Sequence, residues 1–307
     1  MKFNEKGKAY VAERYKVYNL RNQLITEKDI LAMLKIGGIV VKQTLQHMDH
    51  WQEAFVHTSY YKYNSFKYYN PQEEERQLGP IEMKKYIPLQ ETSCERLEWL
   101  GDSILQMSSA IMLFERFDDA DEGFLTKNRC KLVRTKMLAE LAHKLGMAKF
   151  ILMSQHVEDY VDGRNNDKIL EDTFEAFIGA LYQEFKSYGR KYALDICYTF
   201  LETIYNRFVN FQELVTMDDN YKDQLMRYCH KNMDGFNPIY KESVDSNPTV
   251  DTSVQHTYSG PRTFHIHVYD KEGKQIADGF GRNKQEAEQD GAKRALQYYG
   301  ILSSSSS

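Results

Sequence analysis

Two short stretches carry acids where an apolar helix is otherwise expected. Residues 95–105 read ERLEWLGDSIL, with Glu98 and Asp102 four apart. At about 100° per residue such a pair lies about 40° apart on a helix surface, so both carboxylates point the same way. Glu95 shares that face, while Leu97, Trp99, Leu100, Ile104 and Leu105 call for burial. The segment KILEDTFEAFIGALYQEF has the same character, with Asp172 and Glu175 three apart, about 60° from each other. Either pair alone is what a solvated helix face shows; the apolar setting of both argues for more.

If the two faces pack together, four carboxylates meet at one buried locus, and they cannot all stay ionised without positive charge. Hard divalent cations are the natural partners. Oxygen-only ligands with no matching His or Cys set favour Mg²⁺, with Mn²⁺ as the alternative, over zinc. Two such ions roughly 4 Å apart clamp a phosphodiester, one activating water and the other stabilising the leaving oxygen.

The surrounding pattern supplies the elements that must hold these acids. ITEKDILAMLKIGG predicts an amphipathic helix with Ile30, Leu31, Leu34 and Ile36 on its apolar side and Gly37 and Gly38 as its stop, within an N-terminal extension over residues 1 to 49. Residues 61 to 93, rich in Tyr, Lys, Asn and Glu and containing Pro71, Pro80 and Pro88, read as an insertion or surface loop. From 95 to about 206 the pattern is helical: after an acidic turn, DDADEG, comes FLTKNRCKLVRTKMLAELAHKLG, with Leu138, Leu141 and Leu145 on one face. Past about 210 the period changes. NYKDQLMRYCHKN reads as a short helix, TFHIHVYDKEGKQIADGFG as two strands around a KEGK turn, and NKQEAEQDGAKRALQYYG as helix again. A mostly helical domain over 50 to 207, a linker over 208 to 219, a small α+β domain over 220 to 300 and a disordered serine tail over 301 to 307 is the expected organisation.

Bulk properties narrow the class without naming it. With 307 residues, 42% hydrophobic and 27% charged, the chain is long enough for a sizeable core. A net charge of -4 gives no whole-chain sign of a nucleic-acid binder, so any such site is local. The four cysteines, Cys94, Cys130, Cys197 and Cys229, form no C-x-x-C pair, which argues against a cysteine zinc site or a disulfide framework and for a reducing, intracellular, cytoplasmic setting. The charged start MKFNEKGKAYVAERYK resembles neither a signal peptide nor an anchor, and no membrane partner is expected.

The residues now in view resemble a known family. ERLEWLGDSIL closely matches the ribonuclease III signature, ILEDTFEAFIGALYQ resembles that family's second acidic helix, AFVHTSY its opening segment, and DEGFLTKNRCKLVRTKMLAELAHKLG its middle helix. The match covers about 50 to 190, and the C-terminal unit resembles a double-stranded RNA binding domain of α-β-β-β-α form. The resemblance implies an all-helical endonuclease domain whose metal-binding acids are Glu98, Asp102, Asp172 and Glu175, the same four that spacing nominates. It implies two metal ions per active site with substrate bound, and a homodimer in which each subunit cuts one strand. The products would carry 5′-phosphate and 3′-hydroxyl ends with a short 3′ overhang. Trp99 takes the place of the signature's aromatic, which in the family plugs the partner subunit; a core role within the monomer is the alternative. Glu95 and Glu122 align with family acids that support the dimer or the substrate, though each could be a surface acid. Lys168 matches a lysine that steadies phosphate in some members, or is a solvated helix lysine. His57 is expected to be a satisfied helix-end residue rather than a catalytic base.

In the second domain the fit is looser. Lys222 and Gln224 lie on the first helix at positions expected to meet RNA, while Arg227 and His230 depart from the usual types. The loop that should read Gly-Pro-x-His runs Gly260, Pro261, Arg262, Thr263, leaving Arg262 as a substitute phosphate contact. The last helix offers Arg282 and Lys284 at its N-terminus, with Lys293 and Arg294 further on, against Glu286, Glu288 and Asp290. Modest, salt-sensitive affinity for duplex RNA is the expectation. A metal-dependent endoribonuclease acting on double-stranded RNA is thus the leading reading. A protein that binds and sequesters such RNA without cutting it is the alternative, against which the presence of all four acids counts.

Overall fold

The computed structural model describes residues 16–63, 70–216, 220–243, 264–281 and 283–302, and the chain divides into two compact units at Leu214 and Val215. The first is helical. Its order is α1 (Glu27–Ile36), α2 (Met48–Glu53), α3 (Pro71–Met83), α4 (Glu95–Arg116), α5 (Glu122–Leu132), α6 (Thr135–Lys144), α7 (Gln155–Val161), α8 (Asp167–Phe185), α9 (Arg190–Phe208) and α10 (Phe211–Thr216).

Helix α8 is the axis of this unit. Asn166 caps it by accepting from the backbone N–H groups of Lys168 and Ile169, and fourteen of its nineteen residues are buried. A helix apolar nearly all round must be surrounded, and α8 packs against α4, α6 and α9. Phe174, Phe177, Ile178 and Leu181 are fully enclosed, and Trp51 of α2 lies with its ring centroid 4.9 Å from that of Phe177.

Several elements differ from the sequence expectation. Residues 16–49 are part of the unit rather than an appendage: Ile30, Met33 and Leu34 of α1 enter the main core, Thr26 and Asp29 close a capping box, and the Val17 N–H donates to the buried Glu74 carboxylate at 3.1 Å. Within 61–93, read as loop, stands α3, because Pro71 occupies the first helical turn, where it costs no hydrogen bond, and Asn70 caps it; Gly79 at φ 72° kinks it. The stretch read as one middle helix is two, α5 and α6, separated where Arg134 becomes extended. The segment read as linker holds α10, whose Leu214 is buried and whose carbonyl accepts from Lys131 Nζ at 2.6 Å.

The second unit consists of α11 (Tyr221–Asn232), β1 (Ile239–Glu242), β2 (Phe264–Tyr269), β3 (Gln275–Gly281) and α12 (Lys284–Tyr298). The three strands form an antiparallel sheet in the order β1-β2-β3. Alternation turns Ile266 and Val268 inward, where Val268 and Ala277 pack on Leu225 and Cys229 of α11 and on Ala292, Ala295 and Leu296 of α12. The molecule is therefore a mostly α unit followed by a small α+β unit, as the sequence predicts. Among the described residues no helix is long and apolar enough to cross a membrane.

Candidate active site

Helices α4 and α8 bring the two acid pairs together by touching through their backbones. A Cβ at Gly101 would fall 1.7 Å from the Glu175 carbonyl oxygen, and one at Gly179 would fall 2.2 Å from that of Leu97. Only glycine permits so close an approach. Gly101 sits between the α4 acids, so the contact fixes the height at which Glu98 and Asp102 face Asp172 and Glu175. Carboxylate oxygens of Glu98, Asp172 and Glu175 lie within 4.8 Å of one another. Asp102, half-buried on the same side and accepting from Gln106 Nε2 at 3.2 Å, is the strongest charge acting on Glu175.

A fifth acid, absent from the sequence reading, completes the cluster. Glu171 is buried, accepts from Thr135 Oγ1 at 3.2 Å and pairs with Lys168 Nζ at 3.0 Å. Its place inside the quoted motif, one residue before Asp172 on a largely apolar helix, was the available signal. Lys168 also pairs with Asp172 at 2.7 Å. Burial opposes its charge, but the two carboxylates raise its pKa well above the ordinary lysine value.

The electrostatics show an excess of negative charge at the site. Burial first, then the charges of Asp102 and Glu171, push Glu175 up to about 8; burial and Asp172 raise Glu98 as well. The Lys168 ammonium does not offset this excess of negative charge. An all-oxygen donor set with carboxyls held above their normal range fits hard divalent cations, Mg²⁺ or Mn²⁺, which would be held by Glu98, Asp102, Asp172 and Glu175.

Other predicted residues fall around this core. Trp99, expected to need burial, is 75% exposed, which excludes a core role within the monomer. Four-residue steps from Trp99 along α4 reach Met107 and Ile111, both exposed, and exposed Phe114 lies three residues beyond Ile111. Glu95 is exposed and accepts from Ser93 Oγ at 2.9 Å; Glu122, exposed at the start of α5, accepts from Thr126 Oγ1 at 2.9 Å. His57 Nδ1 accepts from the Ser59 N–H, and burial drives the ring down to about 4, so it is neutral and acts as a cap.

In the second unit, Lys222 Nζ pairs with Glu288 at 2.6 Å, and its backbone N–H donates to the Gln289 side chain, which ties α11 to the first half of α12. Gln224 is half-buried on α11, and Lys284 is exposed at the first residue of α12, after the Asn283 cap. Arg262 and Arg282 lie outside the described residues.

The fold and this acid cluster define a helical unit with a candidate divalent-metal centre, followed by a small α+β unit. Residues 95–186 match the Ribonuclease III domain and residues 221–299 the Double-stranded RNA binding motif. The chain is 37% identical over 204 residues to Ribonuclease 3 of Symbiobacterium thermophilum, covering 66% of this chain and 77% of that one. It is 34% identical over 209 residues to Probable ribonuclease 3 of Acanthamoeba polyphaga mimivirus, covering 68% of this chain but 34% of the mimivirus protein, so it spans about a third of that relative. The nuclease domain of a Campylobacter jejuni ribonuclease III superposes with a TM-score of 0.41 at 27% identity, over 58% of this chain and 95% of that one. The chain belongs to the ribonuclease III family, in the simple arrangement of one nuclease domain followed by one double-stranded RNA binding domain. It is accordingly an endoribonuclease, a hydrolase of double-stranded RNA.

Proposed function

We propose that this endoribonuclease cuts both strands of duplex RNA as a homodimer by a two-metal mechanism. The products are 5′-phosphate and 3′-hydroxyl ends with a short 3′ overhang. The observation that carries the reading is the convergence of Glu98, Asp172 and Glu175 oxygens within 4.8 Å from two helices in backbone contact. Divalent ions held there would supply Lewis acidity toward the phosphate and lower the pKa of a water. The chain's own residues do the rest. Glu98, Asp102, Asp172 and Glu175 provide the ligand oxygens, and Lys168 holds the Asp172 carboxylate in place through its 2.7 Å ion pair. The α4 to α8 crossing keeps that frame rigid. In the second unit Lys222, Gln224, Arg262, Arg282 and Lys284 supply duplex contacts, with Lys222 exchanging Glu288 for phosphate.

The exposed row of Trp99, Met107, Ile111 and Phe114 supports the dimer, since large apolar side chains aligned on one face of a helix otherwise stand in water. One acid cluster serves one strand, and a second copy provides the cluster for the other. The described cysteines are free thiols, in keeping with a reducing cytoplasmic location.

The test is digestion of long labelled double-stranded RNA by the full chain with Mg²⁺ or with EDTA, beside a Glu175→Gln variant. Short duplexes from the unaltered chain with Mg²⁺ alone support the mechanism. RNA that is bound but left whole under every metal makes the sequestering role the correct one.

A further inference from the structure

Among the described residues, two groups of side chains bring potential metal-ligand atoms within 4.8 Å of one another. One is the acid cluster. The other is in the RNA-binding unit and has different chemistry. We infer that His265, His267 and Asp278 form a second metal site, selective for a divalent transition ion of the zinc class, on the outer face of the sheet.

The strand register builds it. In β2 the inward Ile266 and Val268 alternate with His265 and His267, so both imidazoles stand on the face turned away from the core. Antiparallel pairing sets Asp278 directly opposite His267 and Phe280 opposite His265. His265 Nε2 lies 2.9 Å and His267 Nδ1 2.6 Å from the same atom, Asp278 Oδ1. Gln275 Nε2 donates to that oxygen too, at 2.9 Å. The rings are held: Phe280 stacks on His265 with centroids 4.4 Å apart and planes 15° from parallel, and the two imidazoles meet edge to face at 4.4 Å.

Three nitrogen donors on one carboxylate oxygen exceed its two lone pairs. A cation at the centre of the three ligand atoms resolves that excess, because it needs lone pairs from the imidazoles in place of their protons. Metal–ligand distances of about 2.0–2.2 Å place tetrahedral donors roughly 3.3 Å apart, so opening the observed triangle by less than about 1 Å admits the ion. Two imidazoles and one carboxylate suit zinc and its neighbours rather than magnesium, and three protein ligands leave one position for water. Lys241, the register partner of His267 on the other side, carries its ammonium over the Tyr269 ring. The side chains of the triad are 28%, 22% and 41% exposed, within reach of an ion from solution. Occupied, the site clips β2 to β3 and stiffens the sheet on which α11 and α12 rest.

Zn²⁺ is titrated calorimetrically into the metal-stripped full chain in excess Mg²⁺, which fills the acid cluster. The expected result is one zinc equivalent in the unaltered chain and in Glu175→Gln, with binding weakened about tenfold or more in His267→Ala and in Asp278→Asn. The amide introduced by Asp278→Asn keeps an acceptor for the histidines, and a far-UV melt of each variant reports its folding. Co²⁺ gives a second readout: the visible bands of a tetrahedral nitrogen-ligated ion in the unaltered chain, missing from His267→Ala. Absence of zinc uptake by the unaltered chain overturns the inference. So does uptake that persists in both triad variants or disappears in Glu175→Gln.

Discussion

Replacing Glu175 by Gln should make the metal-free protein more stable while destroying its activity. Glu175 moves from an ordinary value of 4.5 to about 8 because burial and the charges of Asp102 and Glu171 disfavour its ionised form. The folded state therefore holds this proton more tightly than the unfolded chain. Its contribution is complete below pH 4.5 and is lost as pH climbs through 8. At about 1.4 kcal/mol per unit the ceiling above pH 8 is about 5 kcal/mol, and water reaching the half-exposed Glu98 and Asp102 brings the expected effect to about 2–3 kcal/mol. Gln mimics the protonated acid, so the variant keeps at pH 8 what the parent loses. Urea unfolding in EDTA at pH 5 and pH 8 measures this. Tryptophan fluorescence isolates the nuclease unit, since both tryptophans, Trp51 and Trp99, belong to it. The variant should unfold with the parent at pH 5 and at clearly higher urea at pH 8, and Mg²⁺ should reverse the order by stabilising the parent more. A variant no more stable at pH 8 than the parent, or equally shifted at both pH values, would refute the argument that unpaired carboxylate charge is stored at this site.

Other perturbations separate structure from chemistry. Gly179→Ala places a methyl group against the Leu97 carbonyl and should cost about 2–3 kcal/mol while lowering kcat, read from melting and single-turnover cleavage. Trp99→Ala should leave monomer stability within about 0.5 kcal/mol, because the side chain is exposed, yet convert dimer to monomer in light scattering. Glu184→Ala strips the acceptor from the Gln46 and His47 N–H groups and from Trp51 Nε1, and should cost about 3 kcal/mol, with faster hydrogen exchange at those two amides. Lys222→Ala should weaken duplex binding uniformly across sequences and reduce the salt slope by about 1.

The two acid pairs were legible because helical spacing and apolar surroundings are local properties, and the packing of α4 on α8 brings Glu98, Asp172 and Glu175 together. What escaped depends on contacts far apart in sequence. Nothing local in HMDHW shows that Glu184 will accept from Gln46, His47 and Trp51, so residues before 50 looked separable. Pro71 lay in a stretch read as an insertion or surface loop yet starts a helix, since its meaning depends on whether Asn70 caps it. Pattern alone left Trp99 open, because apolar spacing does not distinguish a face turned to the core from one turned to a partner; the family resemblance pointed to a partner, and its exposure agrees. His265 and His267 passed as ordinary strand residues because only the register reveals Asp278 opposite them.

The meeting of Gly101 with Glu175 and of Gly179 with Leu97 also bears on how this enzyme can change over time. Where helices meet through side chains, each neutral exchange of a Leu for an Ile or a Met shifts the gap between them by fractions of an ångström. Here main chain rests on main chain, and no substitutable atom lies between the two halves of the acid cluster. The gap works as a fixed ruler. The interior around it is free to drift, and with it the melting temperature and the surface, while the spacing of the acids on the two helices stays at its inherited value.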